Sequence, residues 1–326
     1  MDVLLIGLGR WGEQHLRVLT ELGVGVWVAE TSAERRRWAL QRGVDAARVI
    51  EDFRTALPRV DAVDIVTPAD SHRAIAETCL AAGRPCFVEK PLAVSVADGR
   101  ALVAAASAAH RIVQVGHIFR FHPVTGALDA ALRDGRIGRV RYATGRFSGF
   151  KRPRTDVGVT HTDAIHYFDL FAHLLDRAAT CVSAIQRDYL GRGLDDMSLT
   201  TVLYGDVPVS VEASYFVPGN HRECVIVGER GALLADFARS TVTLHRGEHL
   251  WAQGGWEAVD EGKEAITAVG REPLWLELEA FVAACQGREP NRVPAEAGVS
   301  ALEVVEAAKR AASLGRTVSI AEVRAV

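Results

Sequence analysis

The chain has 326 residues, 48% hydrophobic and 24% charged, with a formal net charge of −3. That length predicts two domains with a sizeable core; the near-neutral charge argues against nucleic acid or an anionic membrane as the main partner, and no apolar run approaches the ~18 residues of a membrane helix. Five widely spaced cysteines with no Cys-x-x-Cys pair suggest neither a disulfide framework nor a zinc site.

Residues 3–6, 24–29, 62–66, 86–88 and 112–115 are short, near-continuously apolar runs, the pattern of buried strands. Between them, 11–22, 33–42, 72–81 and 95–109 carry apolar residues at helical spacing. This alternation predicts an α/β domain over residues 1–120, a doubly wound parallel sheet with right-handed crossovers. Asp2 stands where a secretory signal carries positive charge, and Gly7 and Gly9 interrupt the first apolar stretch, so a cytoplasmic location is expected.

Gly7-Leu8-Gly9-Arg10-Trp11-Gly12 follows the first strand and opens the first helix. Gly7 permits a tight turn, Gly9 admits a pyrophosphate against the backbone, and Gly12 lets helix and strand pack closely. The helix N-terminus offers N–H groups and partial positive charge to the phosphates, and Arg10 and Trp11 lie within the same turn. Glu30 ends the second strand 18 residues after Gly12, where a ribose-binding acid belongs in a Rossmann domain. A carboxylate there accepts from both ribose hydroxyls and repels a 2′-phosphate, so NAD is expected over NADP. Arg35, Arg36 and Arg37 read as a solvated helix face. Thr67-Pro68 with His72, and Glu89-Lys90-Pro91, follow later strands and should line the same crevice at their carboxyl ends.

After residue 120 the rhythm changes. A helix over 123–134 precedes a strand over 139–147, a basic loop over 148–155 and a His-rich helix over 160–175. From 179 to about 250 apolar and polar residues alternate between turn signals, an antiparallel pattern. Helices over 273–284 and 294–314 follow. Residues 121–326 thus read as an α+β domain with a large, mostly antiparallel sheet, its last helices able to return to the first domain. In the loop, Lys151, Arg152 and Arg154 are candidates to grip a phosphate, and Arg120 stands near the domain junction. These cations favour a phosphorylated or nucleotide-linked sugar. His117, His122, His161, His166 and His173 include no i, i+4 pair with a local carboxylate set, so no metal is expected.

With these residues in hand, the chain resembles the Gfo/Idh/MocA family of oxidoreductases over almost its whole length. The resemblance is carried by Gly7-x-Gly9-x-x-Gly12, Thr67-Pro68 with His72, Glu89-Lys90-Pro91 and the 116–123 segment around Arg120. His166 and Asp169 on one helix, Glu272-Pro273-Leu274 and Gly315-Arg316-Thr317 add to it. It implies that Lys90 sits beside the nicotinamide and polarises the substrate oxygen. It also implies an open-faced C-terminal sheet that forms a homo-oligomer, a dimer or a tetramer. Family members commonly place an Asp four residues before the His; here Thr162 holds that position and Asp163 stands at i−3, from which it is expected to orient His166. Histidine titrates near neutrality, which suits His166 to exchange the hydroxyl proton during hydride transfer. Oxidation of a UDP-N-acetylhexosamine at its 3-hydroxyl is the leading activity implied. A cyclitol or free-sugar dehydrogenase, a lyase or glycosidase using NAD transiently, and a non-catalytic dinucleotide-binding regulator are the alternatives.

Overall fold

The computed structural model describes residues 1–325. In chain order, β1 (Asp2–Ile6), β2 (Gly25–Ala29), β3 (Val49–Ile50), β4 (Ala62–Ile65), β5 (Cys86–Glu89) and β6 (Val113–Gly116) alternate with α1 (Arg10–Glu21), α2 (Ala33–Gln41), α3 (His72–Ala81) and α4 (Val96–Ala109). Next come α5 (Pro123–Arg133), β7 (Val140–Gly149), α6 (Ile165–Leu175), β8 (Ala179–Arg187), β9 (Met197–Tyr204) and β10 (Val207–Ser214). They are followed by β11 (Asn220–Gly228), β12 (Gly231–Asp236), β13 (Thr241–Ala252) and β14 (Gly255–Ile266). Last are α7 (Pro273–Cys285), α8 (Ala295–Leu314), β15 (Val318–Ser319) and α9 (Ile320–Arg324). The chain divides into two compact units, one of residues 1–118 with 272–302 and one of 119–271 with the chain from 303 on, so the division falls within α8.

The first unit holds a six-stranded parallel sheet in the order β3-β2-β1-β4-β5-β6, the Rossmann order. Its central strands are mostly apolar because helices cover both faces: Val3, Leu5, Val28 and Phe87 are fully buried, as are Leu278 and Phe281 of α7. Sequence order reverses between β1 and β4, which opens a crevice at their carboxyl ends. At that point Gly7 turns at φ +94°, and a Cβ on Gly12 would lie 2.2 Å from the Gly7 carbonyl oxygen. Only glycine allows α1 to start so close to β1. The two-residue β3 is too short to register as an apolar run, and the sequence reading passes over it.

The second unit holds a nine-stranded sheet, antiparallel except where β7 pairs with β10. Its inner face, with Ala143, Gly145, Phe147, Val209 and Val211, is buried. Gly145 is required here, since a Cβ would stand 2.7 Å from the Tyr167 ring of α6. The Tyr167 hydroxyl donates to the Glu223 carbonyl and that of Tyr204 to the Phe168 carbonyl, pinning helix to sheet. On the opposite face Tyr142, Ile185, Leu199 and Leu234 are exposed.

Two elements differ from the sequence reading. The sheet continues past residue 250 to Ile266, because β14 is exposed along most of its length and lacks the alternation that marks a half-buried strand. Residues 247–252 and 255–260 pair with each other beyond the end of β12, as a ribbon tipped by Trp251 and Trp256 in edge contact at 5.5 Å. The His-rich helix is not α-helical throughout. Thr160–Ala164 form a π turn, with the Ile165 N–H reaching the Thr160 carbonyl, before α6 begins. Among the described residues, no helix is long and apolar enough to cross a membrane.

Gly145→Ala should cost about 1–3 kcal/mol through overpacking against Tyr167. Calorimetric unfolding of the variant, compared with wild type, reads this as a lowered Tm; an unchanged Tm refutes the close approach.

Candidate active site

The glycine turn of the first unit fits a dinucleotide. A Cβ on Gly9 would meet nothing within 4 Å, whereas Gly7 and Gly12 are filled by backbone, so the space beside Gly9 is left for phosphates facing the α1 N-terminus. Arg10 and Trp11 are exposed at this end. The Glu30 carboxylate accepts from the Leu8 N–H at 2.7 Å and the Ser32 N–H at 2.8 Å, which ties the turn after β2 to the glycine turn. The Arg35 and Arg36 side chains depart from the solvated face expected of them. Arg35 donates to the Leu8 carbonyl and pairs with Glu13, while Arg36 donates to the Glu30 and Thr31 carbonyls and pairs with Glu51; Arg37 is exposed.

Thr67 and Pro68 follow β4, and Thr67 accepts from the Ser71 hydroxyl. His72 is buried with its two ring nitrogens 2.9 Å from the carbonyls of Pro91 and Thr67, so it ties together the segments leaving β4 and β5. Lys90 follows β5, and its N–H donates to Glu89 Oε2 at 3.0 Å. Glu89 Oε1 accepts from the Trp11 indole at 2.7 Å and lies 3.3 Å from His15 Nε2, while His15 Nδ1 lies 2.8 Å from Asp64. His15 and Asp64 are fully buried. Burial works against a charged His15, but the Asp64 carboxylate and then Glu89 outweigh it and lift its pKa to about 10. Burial raises the Asp64 pKa; for Glu89 burial is outweighed by His15, Lys90 and Trp11, which hold the carboxyl below its ordinary value.

In the second unit, His166 on α6 is buried in an aromatic tray. Its ring stacks on Phe119 at 5.0 Å and on Phe147 at 5.2 Å, and Phe119 stacks in turn on Phe237 at 4.5 Å. Asp163, expected to orient His166, lies in the π turn, and its carboxylate pairs with Lys151 Nζ at 2.7 Å. Thr162 meets the Tyr215 hydroxyl at 2.9 Å. Lys151 sits over the Phe147 and Tyr215 rings, and Arg222 lies 3.4 Å from the Phe147 centroid while donating to the Ser148 and His221 carbonyls.

The other cations expected to grip an anion are also engaged. Arg120 forks onto both oxygens of the buried Asp169, at 2.8 and 2.6 Å, and Arg154 pairs with Asp156. Arg152 is exposed. Among the described residues, no group of three His, Cys, Asp or Glu side chains could hold a metal.

His15, Asp64, Tyr215 and Arg222 are the residues the sequence reading missed. Asp64 had a visible signal, an acid inside an otherwise apolar strand, which demands a buried partner. Arg222 had none, since it is one of many arginines in an alternating strand.

Fold and site together define an NAD-dependent oxidoreductase. A family model described as an oxidoreductase family with an NAD-binding Rossmann fold matches residues 1–117, and one for the family's C-terminal alpha/beta domain matches residues 130–320. The chain belongs to the Gfo/Idh/MocA family. It is 35% identical over 260 residues to an inositol 2-dehydrogenase of Acidothermus cellulolyticus, covering 75% of each chain. It is 28% identical to a UDP-N-acetylglucosamine 3-dehydrogenase of Acidithiobacillus ferrooxidans, covering 88% of this chain and 89% of the relative. A solved structure of the latter protein matches with a TM-score of 0.84 at 26% identity, over 96% of this chain and 98% of that one. The family's dehydrogenases act on sugars and polyols.

Because folded His15 holds its proton far above the ordinary value of 6.5, the native state binds more protons than the unfolded chain between there and about 10. Its contribution to stability is therefore complete below about pH 6.5 and lost as pH rises toward 10. Urea unfolding across this window should show a falling stability that His15→Gln flattens. Identical slopes in both proteins refute the assignment.

Proposed function

We propose that this chain oxidises a secondary hydroxyl of an uncharged cyclitol or sugar, with NAD as hydride acceptor. The observation that carries the substrate class is the pairing of cations: Lys151, Arg154 and Arg120 are each held by a carboxylate of their own unit, Asp163, Asp156 and Asp169. A phosphate-binding site needs donors with unspent charge. The 35% identity to an inositol 2-dehydrogenase supports the same reading.

Gly7, Gly9, Gly12 and the α1 N-terminus hold the pyrophosphate, Arg10 and Trp11 flank it, Glu30 takes the ribose, and Thr67, Pro68, His72 and Glu89 frame the cofactor crevice. NAD is preferred over NADP because Glu30 presents a carboxylate and the adjoining Arg35 and Arg36 are bound to protein oxygens. When bound, the cofactor accepts the hydride from the carbinol carbon. Lys90 stabilises the negative charge that grows on the substrate oxygen, and His166 takes the hydroxyl proton. The Lys151–Asp163 pair offers a donor and an acceptor to neighbouring hydroxyls. Arg120 acts through Asp169 to brace α6, without touching substrate.

A sugar nucleotide is the second reading, a UDP-N-acetylhexosamine oxidised at its 3-hydroxyl. It is favoured by exposed Arg152, which has no side-chain partner among the described residues, and by the likeness to the 3-dehydrogenase. A panel of cyclitols, free sugars and UDP-N-acetylhexosamines, assayed with NAD and NADP by reduced-cofactor absorbance, separates the two. Cyclitol or free-sugar turnover with NAD is expected, and Lys90→Ala and His166→Ala should each lower kcat/KM by about 10²–10⁴-fold. Turnover of the sugar nucleotide alone overturns the neutral substrate, and near-native variants overturn the residue roles.

Tyr142, Ile185, Leu199 and Leu234, exposed on the outer face of the nine-stranded sheet, support a homo-oligomer, a dimer or a tetramer. Sedimentation of Leu199→Lys should show smaller particles than wild type; a wild-type monomer sinks this proposal.

A further inference from the structure

Between the glycine turn and Lys90 lies a buried chain of ionised groups to which the reaction above gives no part. His15 is fully buried, with Nδ1 2.8 Å from Asp64 Oδ2 and Nε2 3.3 Å from Glu89 Oε1. Ionised carboxylates only accept hydrogen bonds, so a ring that turns one nitrogen to Asp64 and the other to Glu89 is best matched to both when each nitrogen carries a proton. A neutral imidazole would turn a lone pair toward one of them, in a place where no water compensates. The rings of Trp11 and Phe87 close the sides at 6.0 and 5.7 Å, and the charged groups facing His15 are Asp64 from β4 and Glu89 from β5, with Lys90 beside the latter.

Glu89 is the link to the chemistry. One of its oxygens accepts from the Trp11 indole and lies 3.3 Å from His15 Nε2 as an ion pair, and the other accepts from the Lys90 N–H. We infer that His15, held as an imidazolium between Asp64 and Glu89, is a positioning residue that fixes the backbone from which the Lys90 ammonium projects. This rests on the role proposed for Lys90. Without the cation, Glu89 loses a partner on Oε1 and its grip on the Lys90 N–H is no longer held in one orientation. The raised pKa of His15 agrees with this geometry.

A substitution cycle gives the test. In His15→Gln the amide can donate to Glu89 only by turning its oxygen onto the Asp64 carboxylate, an acceptor against an acceptor. In His15→Gln with Asp64→Asn, the Asn amide donates to that oxygen and the chain of donors is restored without charge. The single variant should lose about 10²-fold in kcat, the order expected of a displaced catalytic group. Its NAD dissociation constant, by calorimetry, should stay within about threefold, and the double variant should recover most of the kcat. A core residue with a purely structural role would lower stability in both variants and leave the kcat of folded protein alone.

Nitrogen-15 spectra of histidine-labelled wild-type protein supply a readout free of turnover and of the variants' folding. Near pH 8.5, about two units above the ordinary histidine pKa, one ring missing from the His15→Gln or double-variant spectrum should carry two protonated nitrogens. A neutral His15, an unaltered kcat in the single variant, or a double variant no better than the single each overturns the inference. Active wild type with an unaltered single variant removes the role of His15 alone; wild type inert across the substrate panel removes the proposed reaction and this role with it.

Discussion

The ionised groups beneath the glycine turn must compensate one another, because His15 and Asp64 are shut off from water. A single buried carboxylate would cost several kcal/mol without a counter-charge. Two carboxylates flank one imidazolium, and Glu89 also accepts from the Trp11 indole and the Lys90 N–H. The arrangement joins α1 to β4 and β5 by directional bonds, where apolar packing alone would leave freedom to slide. Cofactor cradle and lysine are thereby held in one rigid frame.

The second unit follows a different logic. There the imidazole lies against ring faces, with Phe119 at 5.0 Å and Phe147 at 5.2 Å from it and 5.9 Å from each other. Contacts of this kind restrict the plane of the ring. In the π turn beside it, Asp163 pairs with Lys151 and Thr162 meets Tyr215.

The parallel sheet was legible because strands buried on both faces are mostly apolar, and Gly7 and Gly12 because glycines at a close approach cannot be replaced. The partners of charged side chains were not. Nothing in a linear reading tells that Lys151, Arg120 and Arg154 pair with Asp163, Asp169 and Asp156. The π turn was equally hidden, since one added residue in a hydrogen-bonded ring leaves no mark on apolar spacing. β14 escaped for the opposite reason, being a strand without a buried face.

The ribbon of β13 and β14 also bears on how this protein keeps to itself. β14 is the outermost strand of its sheet and twelve residues long, a row of backbone donors and acceptors of the kind that recruits foreign strands. Glu257, Asp260, Glu261 and Lys263 are exposed along it, and the register slips between Arg246 and Gly247, opposite the left-handed Gly262 at φ +88°. An incoming strand would meet fixed charge and a bent template together. The far edge is guarded by brevity, since β15 has two residues. A sheet with so much free perimeter thus carries its own insulation against fibrous growth.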